Sequence, residues 1–432
     1  DTMRLFGCVA AVAAGFHTVP LSRHSPGHEV DWQAVAAQRV GCRTSENPFG
    51  PTGCATPVAL AVETDAVQVR HERMYNAGDL WYVGAINVGT PPQTVKMVLD
   101  TGSAQMWVDN AYDPSNSTTW VDQHRQASVR YVLGEVAGEI GADTMCFDTG
   151  TPGLCFEKTE FVWVRQMAGL DTTLLNGVLG LSFLGVQQPV GNGMLSELLD
   201  RYPDLGLGFD IRHEDHSELL LGERQDILAS WGGGPQITLP ALNGSGWGAM
   251  GLWTISIVMI AKDAYVQTVA SLDTGSSLVM LPGSLFDGAV GILLGDYRSS
   301  HCLESLAGEI WCLCEVKKQV SPLHIVVGEH DFAFDSDDLF IESGSTPSGA
   351  LCLFGVMRGP TPILGDLFFR KARVLLSASE KTVTVIPRAG ESLAGVGGAA
   401  LAAAGVVVAA VVTVLVARLR STQHQGYAIL DA

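Results

Sequence analysis

Charge is what this chain has least of. Only 16% of its 432 residues are Asp, Glu, Lys or Arg, and the basic ones are outnumbered by 45 to 26, which leaves a net charge of -19. Nothing basic clusters enough to neutralise a phosphate backbone, so a nucleic-acid partner is not expected. No lysine precedes Lys96. Metal ligands are also wanting: Cys312-Leu313-Cys314 has no second close cysteine pair and no histidine at finger spacing. Neither a metal nor a cofactor is expected.

What the chain does have points to a large β-rich protein. Its 47% apolar content is enough for a sizeable core, the length allows two or three domains, and 49 glycines with few charges suit many turns better than long helices.

Two stretches organise the rest. Val98-Leu99-Asp100-Thr101-Gly102-Ser103 recurs 173 positions later as Ser271-Leu272-Asp273-Thr274-Gly275-Ser276. Each reads as strand, tight turn, strand, with the glycine letting the backbone fold back at the aspartate. A third Asp-Thr-Gly, at Asp148-Thr149-Gly150, runs into Pro152 between Cys146 and Cys155 with no apolar strand leaving it. Asp148 is expected in a loop.

The termini read as targeting segments. Met3 and Arg4 precede an apolar or small-residue run, and Ala11-Val12-Ala13 supplies an A-x-A site, so residues 1–16 read as a signal peptide. Residues 17–60 are rich in Pro, His, Ser and Ala without sustained periodicity and read as a propeptide; strands are expected at 56–62 and 66–69. At the other end, residues 394–417 are uncharged and built from Ala, Gly, Val and Leu, and as a helix would extend about 36 Å, enough to cross a bilayer. Arg418 and Arg420 follow, which with a cleaved signal puts residues 418–432 in the cytosol as a single-pass type I tail.

Eight cysteines remain after signal removal, an even number that suits an oxidising compartment. Short separations pair Cys42 with Cys54 and Cys146 with Cys155. Cys352 takes Cys312 or Cys314, and Cys302 the other. Asn116-Ser117-Thr118 and Asn243-Gly244-Ser245 are glycan sequons.

Tyr82-Val83-Gly84-Ala85-Ile86-Asn87-Val88-Gly89-Thr90-Pro91-Pro92-Gln93, followed by Asp100-Thr101-Gly102-Ser103 and Trp107, resembles the start of a pepsin-like aspartic endopeptidase. Val178-Leu179-Gly180 and Ile363-Leu364-Gly365 are similar to that family's hydrophobic-hydrophobic-Gly elements, 80 and 92 residues past Asp100 and Asp273. The resemblance covers roughly residues 60 to 388. It implies a mainly β, bilobal fold with internal two-fold duplication, a first lobe over 61–235 and a second over 236–388, plus one C-terminal transmembrane helix.

The resemblance also implies the chemistry. Asp100 and Asp273 would activate a water against a peptide bond, with Thr101 and Thr274 locking the two turns, Gly102 and Gly275 shaping them, and Ser103 and Ser276 orienting the outer carboxylate oxygens. Tyr131 and Gly134 match the flap that closes over substrate, and Trp107 the tryptophan that the flap tyrosine contacts. Departures are visible: Val132-Leu133 stands where relatives often carry Gly-Thr, the short cysteine loop after the first motif is absent, and with no early lysine either Arg39, Arg43, Arg70 or Arg73 plugs the cleft of the precursor or latency is weak.

The expected partners are a peptide or protein substrate, a membrane, and a sorting adaptor reading Tyr427-Ala428-Ile429-Leu430. The alternatives are a catalytically silent peptide-binding relative of the same fold and a membrane-anchored receptor ectodomain. The two intact aspartate motifs argue against the first, and the second would leave Asp100 and Asp273 dispensable.

Overall fold

The computed structural model describes residues 69–388, apart from 78–79, 132–133, 149–153, 171–174, 184–189, 214–215 and 243–250. The expected signal, propeptide, membrane span and tail lie outside the described residues, as do Cys42, Cys54, Asn243, Tyr427 and Leu430. Of the early strands expected at 56–62 and 66–69 only Val69 is described, just ahead of the strand Arg70–Ala77.

Strands dominate and, among the described residues, gather into sheets of thirteen, seven and four. Gln93–Asp100 shows why the chain folds this way. Thr94 and Lys96 alternate with buried Val95 and Met97, the period-two pattern of a strand with one wet face, before Val98, Leu99 and Asp100 run wholly inside.

The duplication is visible in strand pairing. In the first half, Gln93–Asp100 runs parallel to Gly177–Gly180, which is antiparallel to Met106–Val108. In the second, Ala264–Leu272 runs parallel to Ile363–Leu364, which is antiparallel to Val279–Leu281. Asp100 thus ends, and Asp273 directly follows, one strand of a three-strand unit whose middle member arrives from far along the chain. The middle strand crosses so tightly over the aspartate loop that a Cβ on Gly180 would meet the backbone of Ser103 and Ala104, and one on Gly365 the carbonyl of Ser276. Only glycine fits there.

The halves are stitched together behind these units. Ile237–Pro240, Thr382–Pro387, Ala372–Ser377, Leu205–Asp210, Ser217–Glu223 and Arg70–Ala77 lie side by side in the largest sheet. Buried Asp210 pins this region: it takes Arg212 at 2.7 Å, Arg373 at 3.0 Å and Arg388 at 2.6 Å. Burial works against its charge, but the arginines hold its carboxyl down to about 2.

The disulfides left open by sequence are resolved. Cys146 bonds Cys155, Cys302 bonds Cys312, and Cys314 bonds Cys352. No helix among the described residues is long and apolar enough to cross a membrane.

Candidate active site

The two aspartate loops meet face to face. The backbone N–H of Thr101 donates to Thr274 Oγ1 at 3.1 Å and that of Thr274 to Thr101 Oγ1 at 3.0 Å. Asp100 and Asp273 are thereby brought together, each at most 1% exposed and close enough to shift one another's carboxyl. The approach is close enough that a Cβ on Gly102 would land on the Asp273 carboxyl.

Each carboxylate is held the same way. The N–H of Gly102 donates to Asp100 Oδ1 and that of Gly275 to Asp273 Oδ1, both at 2.8 Å. Ser103 Oγ donates to Asp100 Oδ2, and Ser276 Oγ to Asp273 Oδ2 at 2.7 Å. Each carboxyl thus accepts from the N–H of the glycine two residues on and from the hydroxyl of the serine after it. Burial raises both carboxyls above the usual range, and Asp273 is pushed further by the negative charge of Asp100 beside it.

Tyr131, expected from the sequence in a flap, lies close by. Tyr131 sits in the turn between Val121–Arg130 and Glu135–Phe147; its Oη accepts from Trp107 Nε1 at 2.6 Å, and it is only 4% exposed. Burial, then the charge of Asp100, pushes its phenol well above the ordinary range. Gly134 closes the turn, its carbonyl accepting from Tyr131 N at 2.7 Å.

Not every residue singled out from sequence joins the site. Asp148 is exposed and outside any strand. Arg70 and Arg73 belong to the strand Arg70–Ala77, where Arg73 stacks on Tyr75, 5.0 Å from its ring centre; neither reaches the dyad, and Arg39 and Arg43 lie outside the described residues.

Three residues were missed. Ser277 Oγ donates to the carbonyl of Leu80, tying the entry to the first lobe onto the second aspartate loop. Asp366, wholly buried, lies close enough to the dyad to feel the charge of both aspartates: its N–H donates to Ser276 O at 2.7 Å, and its Oδ1 has no hydrogen-bond partner. A signal for it existed, since the residue after the glycine of the repeated element is Leu181 in the first half and Asp366 in the second. Glu72, 1% exposed in the first strand, had no local signal. Among the described residues no group of His, Cys, Asp and Glu is placed to hold a metal.

A mainly β bilobal body with paired aspartates at its centre defines an aspartic proteinase. Residues 81–387 match the model of the eukaryotic aspartyl protease family, and the chain belongs to that family. It is similar to pepsin A of Gallus gallus, 26% identical over 374 residues that cover 79% of this chain and 92% of that protein. It is also similar to vacuolar protease A of Aspergillus fumigatus, 27% identical over 327 residues, 67% of this chain and 74% of the relative. Among solved structures, an aspartic proteinase from Irpex lacteus superposes with a TM-score of 0.60 at 16% identity, covering 75% of this chain and 99% of that one. By family, the protein is an aspartic endopeptidase.

Proposed function

We propose that Asp100 and Asp273 share one proton and hydrolyse peptide bonds through a water held between them. The ionised member takes the water's proton as its oxygen attacks the scissile carbonyl; the protonated member donates a hydrogen bond to the carbonyl oxygen as it becomes tetrahedral. No covalent intermediate forms. Pepsin is the established case of two aspartates that share a proton in this way, and the two titrations belong to the pair rather than to either residue. The single observation that supports this reading most is the reciprocal threonine bonding, which fixes two buried carboxyls side by side on independent strands.

The cellular setting belongs to the same proposal. The uncharged stretch 394–417 followed by Arg418 and Arg420 supports a single-pass type I anchor, and three disulfides support a secretory, endosomal or extracellular location for the catalytic body. Residues 17–60 act as a propeptide, Asn116 and Asn243 carry glycans, and Tyr427-Ala428-Ile429-Leu430 meets a sorting adaptor.

The experiment is peptide cleavage from about pH 3 to 7, with and without a hydroxyl-bearing transition-state mimic, beside Asp100→Asn and Asp273→Asn. Acid-side cleavage stopped by the mimic and lost in both variants is expected. Cleavage that survives in either variant refutes the dyad, and a folded, propeptide-free protein that cuts nothing points to the silent relative.

A further inference from the structure

The two halves are tied across the lobes at a second place, outside the threonines. Ser277 Oγ donates to Leu80 O, from the second lobe to the first. Ser182 Oγ donates to Gly251 O at 2.5 Å, from the first lobe to the second. Both serines are buried. The accepting carbonyls correspond, since Leu80 lies 20 residues ahead of Asp100 and Gly251 22 residues ahead of Asp273. Each stands shortly before the strand that flanks its own aspartate strand. Trp81–Val88 follows Leu80 and pairs with Gln93–Asp100; Thr254–Ala261 follows Gly251 and pairs with Ala264–Leu272.

Each serine is one step from the residue that holds an aspartate. Ser277 directly follows Ser276, whose Oγ donates to Asp273 Oδ2. Ser182 N donates at 2.9 Å to the carbonyl of Ser103, whose Oγ donates to Asp100 Oδ2. The ties therefore run crosswise. The strand beside that of Asp100 is fastened to the Asp273 loop, and the entry to the strand beside that of Asp273 is fastened to a residue bonded to the Asp100 loop.

The two ties are not equally supported. Gly251 O also accepts from Phe183 N at 3.1 Å, Trp253 Nε1 donates to Leu181 O at 3.2 Å, and the rings of Phe183 and Trp253 stand 4.5 Å apart. On the other side, the carbonyl of Leu80 takes the Ser277 hydroxyl. The Leu80 side chain packs against two buried layers, one with Trp107 and Tyr131 in the first lobe and one with Leu278 and Met280 in the second. The repeated motif itself differs here: four residues past the aspartate stands Ala104 in the first copy and Ser277 in the second.

We propose that Ser182 and Ser277 are positioning residues that set the separation of Asp100 and Asp273, with Ser277 the more important of the two. Protons pass between carboxyl, water and peptide only at hydrogen-bond distance, and a misplacement of about 1 Å costs about a hundredfold in rate. Without the Ser277 hydroxyl the Leu80 carbonyl loses this donor, and the strand beside that of Asp100 is released from the loop of Asp273. This role rests on the endopeptidase reading, because the separation serves the chemistry between the two carboxyls.

The test compares the full chain with Ser277→Ala, Ser277→Thr and Ser182→Ala, in kcat and KM per mole of folded protein and in amide hydrogen exchange. Ser277→Ala should lower kcat about tenfold at unchanged KM, a change of about 1.4 kcal/mol in the activation free energy. Ser182→Ala, with Phe183 N still on Gly251 O, should lower it about threefold. Ser277→Thr keeps a hydroxyl and should recover kcat to within about threefold of the parent. Exchange in Ser277→Ala should quicken in both segments that the tie joins, 80–83 and 274–281. An unchanged kcat in Ser277→Ala overturns the role. So does a loss confined to KM, which would put the hydroxyl against substrate, and so does a threonine variant that exchanges as slowly as the parent yet turns over no faster than the alanine one. A folded parent that cuts nothing would sink the endopeptidase reading instead, and the exchange comparison would still judge the ties: equal exchange in the parent and Ser277→Ala would overturn them.

Discussion

Thr101 and Thr274 exchange hydrogen bonds across the join of the two lobes, and each hydroxyl then donates to the carbonyl ahead of the opposite aspartate: Thr101 Oγ1 to Leu272 O at 2.9 Å, and Thr274 Oγ1 to Leu99 O. All are buried. Thr274→Val keeps the shape but leaves the N–H of Thr101 and the carbonyl of Leu99 without their partner, a loss of about 2–4 kcal/mol. The urea midpoint should drop accordingly, with kcat falling because the carboxyls lose their mutual spacing. Thr274→Ser should recover most of both. A valine variant as stable as the parent would show that the lobes are held by their shared sheet alone.

Trp107 and Tyr131 form a second such pair, joined by one buried hydrogen bond. Tyr131→Phe removes the acceptor of the Trp107 N–H and should cost about 1 kcal/mol of stability and about tenfold in kcat/KM. Trp107→Phe should cost a similar factor. In the double variant the losses should not add, since both remove one interaction. Full additivity in kcat/KM would mean that the two side chains act separately.

The contrast between these pairs and other contacts shows what was legible in the sequence. Each aspartate, threonine, glycine and serine of the site lies within one short motif, so the turn is encoded locally and its duplication is countable. Partners set by register are not encoded that way. Cys302 could be given to Cys312 or Cys314 until the hairpin register placed it opposite Cys312. The missing cysteine loop of the first lobe is another case. There, buried Asp143 accepts from Tyr112 Oη and Thr119 Oγ1, both at 2.5 Å, and from Thr144 N at 2.7 Å, bracing a segment whose residues are far apart in sequence. Glu72 is hidden for the same reason, because one of the two strands that flank it, Ser217–Glu223, arrives more than a hundred residues later.

Asp366 places a third buried carboxyl near the dyad. Burial pushes it well above the usual range; Arg370 offsets part of this, and the charges of Asp273 and Asp100 add to it. Its carboxyl therefore holds a proton more tightly than an exposed aspartate does. Asp366→Asn supplies the same shape and cannot ionise. On the acid side its kcat/KM should remain within about twofold of the parent. A loss of a hundredfold there would mean that Asp366 exchanges a proton during turnover.

Glu72 should make stability depend on pH. It lies 1% exposed in Arg70–Ala77, between Ser217–Glu223 and Trp81–Val88; Oε1 accepts from Ala85 N at 3.2 Å, and Oε2 has no hydrogen-bond partner. Burial pushes its carboxyl from 4.5 up to about 7, eased by the backbone N–H groups of Ala85 and Asp148 and raised again by the Asp148 charge. The folded state thus holds the proton more tightly than the unfolded chain. Its stabilising share is complete below the unfolded value of 4.5 and is lost as pH rises through about 7. The full shift corresponds to at most about 3 kcal/mol. Glu72→Gln keeps an acceptor for Ala85 and cannot ionise. Urea midpoints at about pH 4 and about pH 8 should therefore differ less in this variant than in the parent, while other titrating groups contribute equally to both. Parallel pH dependence in the two proteins would show that Glu72 does not titrate in this range.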